Sequence, residues 1–222
     1  VEQIDAHLIS ESHRLGKESM GSVSTARRGF LGFLYVRGVL PSDLRAYIPR
    51  PRLYRLARMP RALVWVDVQR TLDAIDRQTP IGRRDYAMLA LIAYCGLRAG
   101  DVAALRLQDL DWRRDLLHVR RPKTRSHEDV PMIDVVGEAL VAYVHQRRRA
   151  QHEAVFLTAN APPRPLAGDR IGMRAALYMR RAGVHATSFG AHTLRHSLAV
   201  ELLRQGRTLK ENVQRNHGMA NP

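Results

Sequence analysis

The 222-residue chain predicts a mainly α-helical protein with one small antiparallel β-sheet, an α+β fold. Two observations carry this prediction. Apolar residues recur at three- and four-residue spacing through most of the chain, as they do on a helix that buries one face. One segment, Asp111 to Ile133, breaks that pattern. There Leu116, Leu117 and Val119 face Val130 and Met132 across the polar stretch RRPKTRSHED, as two strands joined by a turn would.

In chain order, Ala26, Phe30, Phe33 and Leu34 fall on one helical stripe between Ser24 and Val36, with Arg27, Arg28 and Arg37 around it, so this segment predicts a basic amphipathic helix. From Pro41 to Pro60 the chain carries Pro41, Pro49, Pro51 and Pro60 together with Arg50, Arg52, Arg55 and Arg58, a composition that resists regular structure and suits a basic linker. Residues 1–40 are therefore read as a helical region, 41–60 as the linker and 61–222 as the main domain. Within that domain helices are expected over Trp65–Ile75, Gly82–Cys95 with a stop near Gly96, Asp101–Leu107, Val135–Arg149, Asp169–Arg181 and Thr193–Arg204. A short strand is expected at Val155–Leu157, and Lys123 falls at or near the turn between the two main strands.

Lysine and arginine number 36 against 21 acidic residues, a formal charge of +15, which favours a polyanionic partner, with nucleic acid foremost. The basic residues recur inside amphipathic segments, so the charge belongs to folded surfaces. The single cysteine, Cys95, lies in the apolar run MLALIAYCGL and reads as a buried, inert thiol in a reducing compartment. The longest apolar stretch, Ala87 to Leu97, is too short to span a bilayer, and no signal segment opens the chain. A soluble, cytoplasmic, nucleoid-associated protein is expected, with no membrane partner. No HExxH or clustered carboxylate pattern supports a metal-dependent nuclease, and neither metal nor cofactor is expected.

The sharpest chemical signal is the cluster HTLRH, His192 to His196. On a helix His192 and Arg195 are three apart and share a face, and His192 sits near the helix start, where free amides also favour an anion. Arg98, in GLRAGDVAAL, offers a second guanidinium. Two planar, permanently charged forks and an imidazole are what phosphoryl transfer without a metal requires.

Four ordered blocks widen this signal: RRGFLGFLYVRGVLP, GLRAGDVAALRLQDLDW (Gly96 to Trp112), the turn near Lys123, and HTLRHSLAVELLRQG (His192 to Gly206). Together they resemble the tyrosine recombinase family, also called phage integrases. The resemblance implies a catalytic domain over 61–222, preceded by the last part of a helical, SAM-like core-binding domain. It implies that Arg98 and Arg195 hold the scissile phosphate and that Lys123 is the general acid toward the leaving 5′ hydroxyl. His192 would act as acid or base near the nucleophile's oxygen, and Asp101 would support the arginine or cap its helix. His196 is read as structural. Arg27, Arg28, Arg50, Arg52, Arg55, Arg121 and Arg125 are the expected DNA contacts.

The resemblance fades after Glu211. The family continues into an apolar helix, an LGH block and a tyrosine nucleophile, whereas this chain reads ENVQRNHGMANP, and no tyrosine follows Tyr178. His217 falls near the place of the family's second histidine. Tyr178 is read as a packing residue with its hydroxyl at the surface. A chain truncated at both ends, or frame-shifted, is the resulting expectation: it binds double-stranded DNA but cannot form the phosphotyrosine intermediate. It would be a monomer in solution and would meet intact integrase protomers on DNA. The competing reading is a DNA-binding module that occupies recombination sites without chemistry.

Overall fold

The computed structural model describes residues 14, 17–49, 62–121, 126–147 and 152–206, and the chain divides into two units, Val1–Met59 and Pro60–Pro222.

In the first unit, helix α1 (Lys17–Val36) ends where Gly38 adopts φ +71°, a left-handed conformation that glycine takes without a Cβ penalty. A short 3-10 turn, Leu44–Tyr47, follows. Asp43 caps it by accepting the Arg45 amide at 2.9 Å, and the Arg45 guanidinium beside Asp43 holds that carboxyl down to about 2. Arg28 of α1 donates to the carbonyls of Arg45, at 2.5 Å, and Ile48, at 3.0 Å, and Ile48 is buried. This corrects two expectations. Residues 41–48 are not a free linker but are built onto α1. The predicted apolar stripe is also not the face that packs: Phe30 and Phe33 are 60% and 54% exposed. The reason is local, since the Arg28 guanidinium satisfies two carbonyls at the end of the turn and so draws that turn onto its own side of the helix.

The second unit is built around the apolar run identified in the sequence. Helix α2 (Trp65–Asp73) precedes α3 (Pro80–Cys95), which is buried without interruption from Arg84 to Ala93 and again at Cys95. Its start is sharply defined. The Thr79 hydroxyl accepts the Gly82 amide at 3.0 Å and Pro80 occupies the first turn. Gly82 has no alternative there, because a Cβ would lie 1.8 Å from the Asp76 carbonyl oxygen. Its end is equally definite: Gly96 takes φ +65° and the Leu97 amide turns back to the Leu91 carbonyl, closing the helix. Burial pushes the Cys95 thiol up to about 12, which suits an inert side chain.

Helix α4 (Ala99–Ala104) and a 3-10 turn (Leu107–Asp109) lead into the sheet, whose order is β1 (Leu110–Asp111), β2 (Leu116–Arg121), β3 (Ser126–Pro131), all antiparallel. Leu117 pairs with Val130 as the alternation predicts, but pairing continues outward through His118–Asp129 and Arg120–His127 to Arg121–Ser126. Most of the polar stretch read as a turn is therefore strand, and β1 went unpredicted because two residues carry no period. Helix α5 (Asp134–Gln146) packs on α3. The expected strand at Val155–Leu157 is instead a pair of isolated bridges, Arg106 with Ala154 and Leu157 with Pro165, since Val155 and Phe156 bond to loop backbone on either side. Helices α6 (Gly168–Arg181) and α7 (Ala191–Arg204) complete the unit. Among the described residues no helix is long and apolar enough to cross a membrane.

One charged cluster lies inside this core. Asp85, fully buried on α3, accepts Arg84 through Oδ1 at 2.8 and 3.0 Å, and Arg174 and the Tyr178 hydroxyl through Oδ2 at 2.5 and 2.9 Å. The Tyr178 hydroxyl thus points inward, not to the surface as expected, because the carboxylate needs the donor. Burial raises the phenol above its ordinary range.

A buried carboxylate holding two guanidiniums makes its removal costly: Asp85→Asn should lower unfolding stability by roughly 3–5 kcal/mol in urea denaturation. Tyr178→Phe, which removes one of several donors, should cost only about 1 kcal/mol. Equal losses for the two would contradict this assignment of roles.

Candidate phosphate-binding site

The end of α3 decides where Arg98 stands. The left-handed turn at Gly96 releases the chain from the core, Leu97 is buried behind it, and Arg98 is extended at φ −77° and ψ 151° before α4 begins. The Arg98 amide donates to Asp101 Oδ2 at 3.3 Å, so Asp101, itself buried, caps the helix as the sequence resemblance implied. The Arg98 guanidinium is exposed, and among the described residues no acceptor holds it. The start of α6 packs closely against this corner: a Cβ at Gly168 would stand 3.1 Å from the Gly100 nitrogen.

Helix α7 supplies the rest. Gly190 precedes it at φ +147°, and no side chain caps the helix. Thr193 is buried and its hydroxyl donates to the Ser188 carbonyl at 2.9 Å. Ser197, one turn on, donates to the Thr193 carbonyl at 2.9 Å and accepts the Leu63 amide at 2.8 Å, which seats α7 against the chain entering the unit. Arg195 is half-buried and donates through Nη1 to the Gly96 carbonyl. That contact brings the second guanidinium to the very turn from which Arg98 projects. His192 is exposed on the same face of α7, with Nε2 2.7 Å from Ser188 Oγ, and His196 is exposed rather than packed.

The bond from Arg195 to the Gly96 carbonyl sets Arg195 beside the turn that bears Arg98, and His192 stands three residues before Arg195 on α7. Lys123, Arg125, Arg50, Arg52, Arg55 and His217 lie outside the described residues, as does the side chain of Arg121. Arg28 has its guanidinium on two carbonyls of the first unit, and Arg27 is half-buried with Nη1 enclosed. On the sheet, Arg120 pairs with Asp109 at 2.8 Å and His118 with Asp129 at 2.7 Å. Ser188 was missed by sequence reasoning; its only signal is a hydroxyl four residues before His192 across a glycine. No group of three or more metal-ligating side chains occurs among the described residues.

Near the Gly96 turn stand one guanidinium unpaired among the described residues and one tethered to the turn's carbonyl, and the α7 start, which no side chain caps, carries an imidazole; groups of these kinds bind anions. Residues 63–221 match the phage integrase family. The chain is 39% identical over 200 residues to the integrase/recombinase y4rA of Sinorhizobium fredii, a match covering 89% of this chain and 48% of that protein. It is 32% identical over 211 residues to the tyrosine recombinase XerC of Stutzerimonas stutzeri, covering 92% and 67%. The chain spans about half the length of y4rA and of its Sinorhizobium relative y4rF. In fold it matches the XerH site-specific recombinase, solved bound to difH in a pre-cleavage complex, with a TM-score of 0.72 at 17% identity over 99% of this chain and 64% of that one. The chain belongs to the phage integrase family of tyrosine recombinases.

Proposed function

We propose that the second unit grips a backbone phosphate of duplex DNA as part of tyrosine-type, site-specific recombination and integration. Arg98 and Arg195 are the electrostatic elements, opposing the charge that builds on the phosphate as it becomes five-coordinate. In that reaction His192 hydrogen-bonds an oxygen of the same phosphate and acts as acid or base near the nucleophile's oxygen, and Lys123 protonates the leaving 5′ oxygen. The observation that carries this reading is the bond from Arg195 to the Gly96 carbonyl, which ties the HxxR helix to the turn bearing Arg98. The net charge of +15 supports the same partner, double-stranded DNA.

A second element of the proposal concerns the nucleophile. These 222 residues bind DNA without attaching to it. Tyr178, the last tyrosine in the sequence, donates its hydroxyl to buried Asp85, and burial raises that phenol further from the phenolate the attack requires. By itself the chain is a monomer that occupies recombination sites and meets intact integrase protomers there.

Two measurements test this. Arg98→Ala should weaken binding to a duplex site and reduce the slope of log affinity against log salt by about 0.9, the share of one phosphate contact. An unchanged slope removes Arg98 from the DNA. With a nicked suicide duplex, the 222-residue chain should leave no band of protein-linked DNA in a denaturing gel. A covalent adduct would overturn the non-cleaving reading, and its loss in Tyr178→Phe would identify the nucleophile.

A further inference from the structure

The loop that leads into α7 is fastened at several points. The Arg180 guanidinium lies 5.0 Å from the centroid of the Phe189 ring, and the hydroxyl of buried Thr193 holds the Ser188 carbonyl at 2.9 Å. Gly190 sits at φ +147°, outside the range that side-chain-bearing residues favour, and a Cβ there would be 3.3 Å from His192 Nδ1 and 3.4 Å from Cε1. The imidazole therefore lies against bare backbone on one edge. On the other edge Nε2 meets Ser188 Oγ at 2.7 Å. Ring nitrogens usually owe their protonation pattern to the partner the other nitrogen holds.

A hydroxyl differs from the carboxylate or carbonyl partners common at histidines, because it can both donate and accept. Ser188 can donate to Nε2 of the neutral ring and accept from Nε2–H of the cation by rotating its hydrogen, with no heavy atom moving. A carboxylate would favour the cation and resist its return to neutral. From this geometry we infer that Ser188 is a positioning residue for His192, holding one ring orientation through both protonation states so that Nδ1–H, present in both, can donate to an oxygen of a bound phosphate. The inference rests on the proposed phosphate-binding role of His192.

The test uses the full 222-residue chain labelled with ¹⁵N, with the ring signals of His192 identified by their loss in His192→Gln. Ser188→Ala should shift the Nε2 signal toward that of a freely exchanging imidazole and weaken binding to a nicked duplex by about 2- to 10-fold, the effect of one lost hydrogen bond. Ser188→Thr, which restores the hydroxyl, should recover both the signal and the affinity. An Nε2 signal unchanged in Ser188→Ala overturns the inference, as does a shift that Ser188→Thr fails to reverse. A reversible shift with unaltered affinity instead overturns the reading of His192 as a phosphate ligand.

Discussion

Helix α3 is buried without interruption from Arg84 to Ala93, and each of its ends must finish its backbone hydrogen bonds in a defined geometry. At the start this requirement is met by Thr79 and by a glycine at 82, where the Asp76 carbonyl leaves no room for a side chain. At the other end it is met by Gly96 in a left-handed conformation, with the Leu97 amide returned to Leu91. The site inherits its geometry from that second solution. The turn at Gly96 both ejects Arg98 from the core and exposes the carbonyl that receives Arg195, so the stop signal of the central helix is also one wall of the proposed phosphate site.

Among the described residues the surroundings of arginine differ, and three cases stand apart. Arg84 and Arg174 converge on buried Asp85, where the carboxylate and a tyrosine hydroxyl meet their donors and the whole cluster stays inside the fold. Arg28 and Arg147 donate to backbone carbonyls and hold local turns. Arg98 is exposed with its guanidinium unpaired among the described residues. A net charge of +15 does not distinguish these cases; hydrogen bonding does. Charge internally compensated gives shape, whereas charge left to solvent is available to a polyanion.

Much of this was legible in the sequence because the signals were local and strong. The apolar run before Gly96 gave α3 and its stop, the HxxR spacing gave a shared helical face, and alternation around Leu117 and Val130 gave the core of the hairpin. What could not be read depends on partners remote in sequence. The Asp85 cluster joins residues 93 apart, so the inward turn of Tyr178 has no local signature. The seating of residues 41–48 on α1 follows from one arginine reaching two carbonyls, while composition alone pointed to a linker. Val155 to Leu157 looks like a strand by residue type, yet its backbone pairs with loops, and short apolar runs carry too little period to tell the difference. Ser188 was invisible for a similar reason, since its meaning lies in the glycine kink that folds it back onto His192.

The central claim is spatial: Arg98, Arg195 and His192 converge on one DNA phosphate because the Gly96 turn holds them together. A crystal structure of the 222-residue chain bound to a duplex oligonucleotide tests it most directly. The account predicts a single backbone phosphate within hydrogen-bond reach of all three side chains, with Arg195 still bonded to the Gly96 carbonyl. A duplex bound on another face, with the three side chains contacting no phosphate, would contradict it.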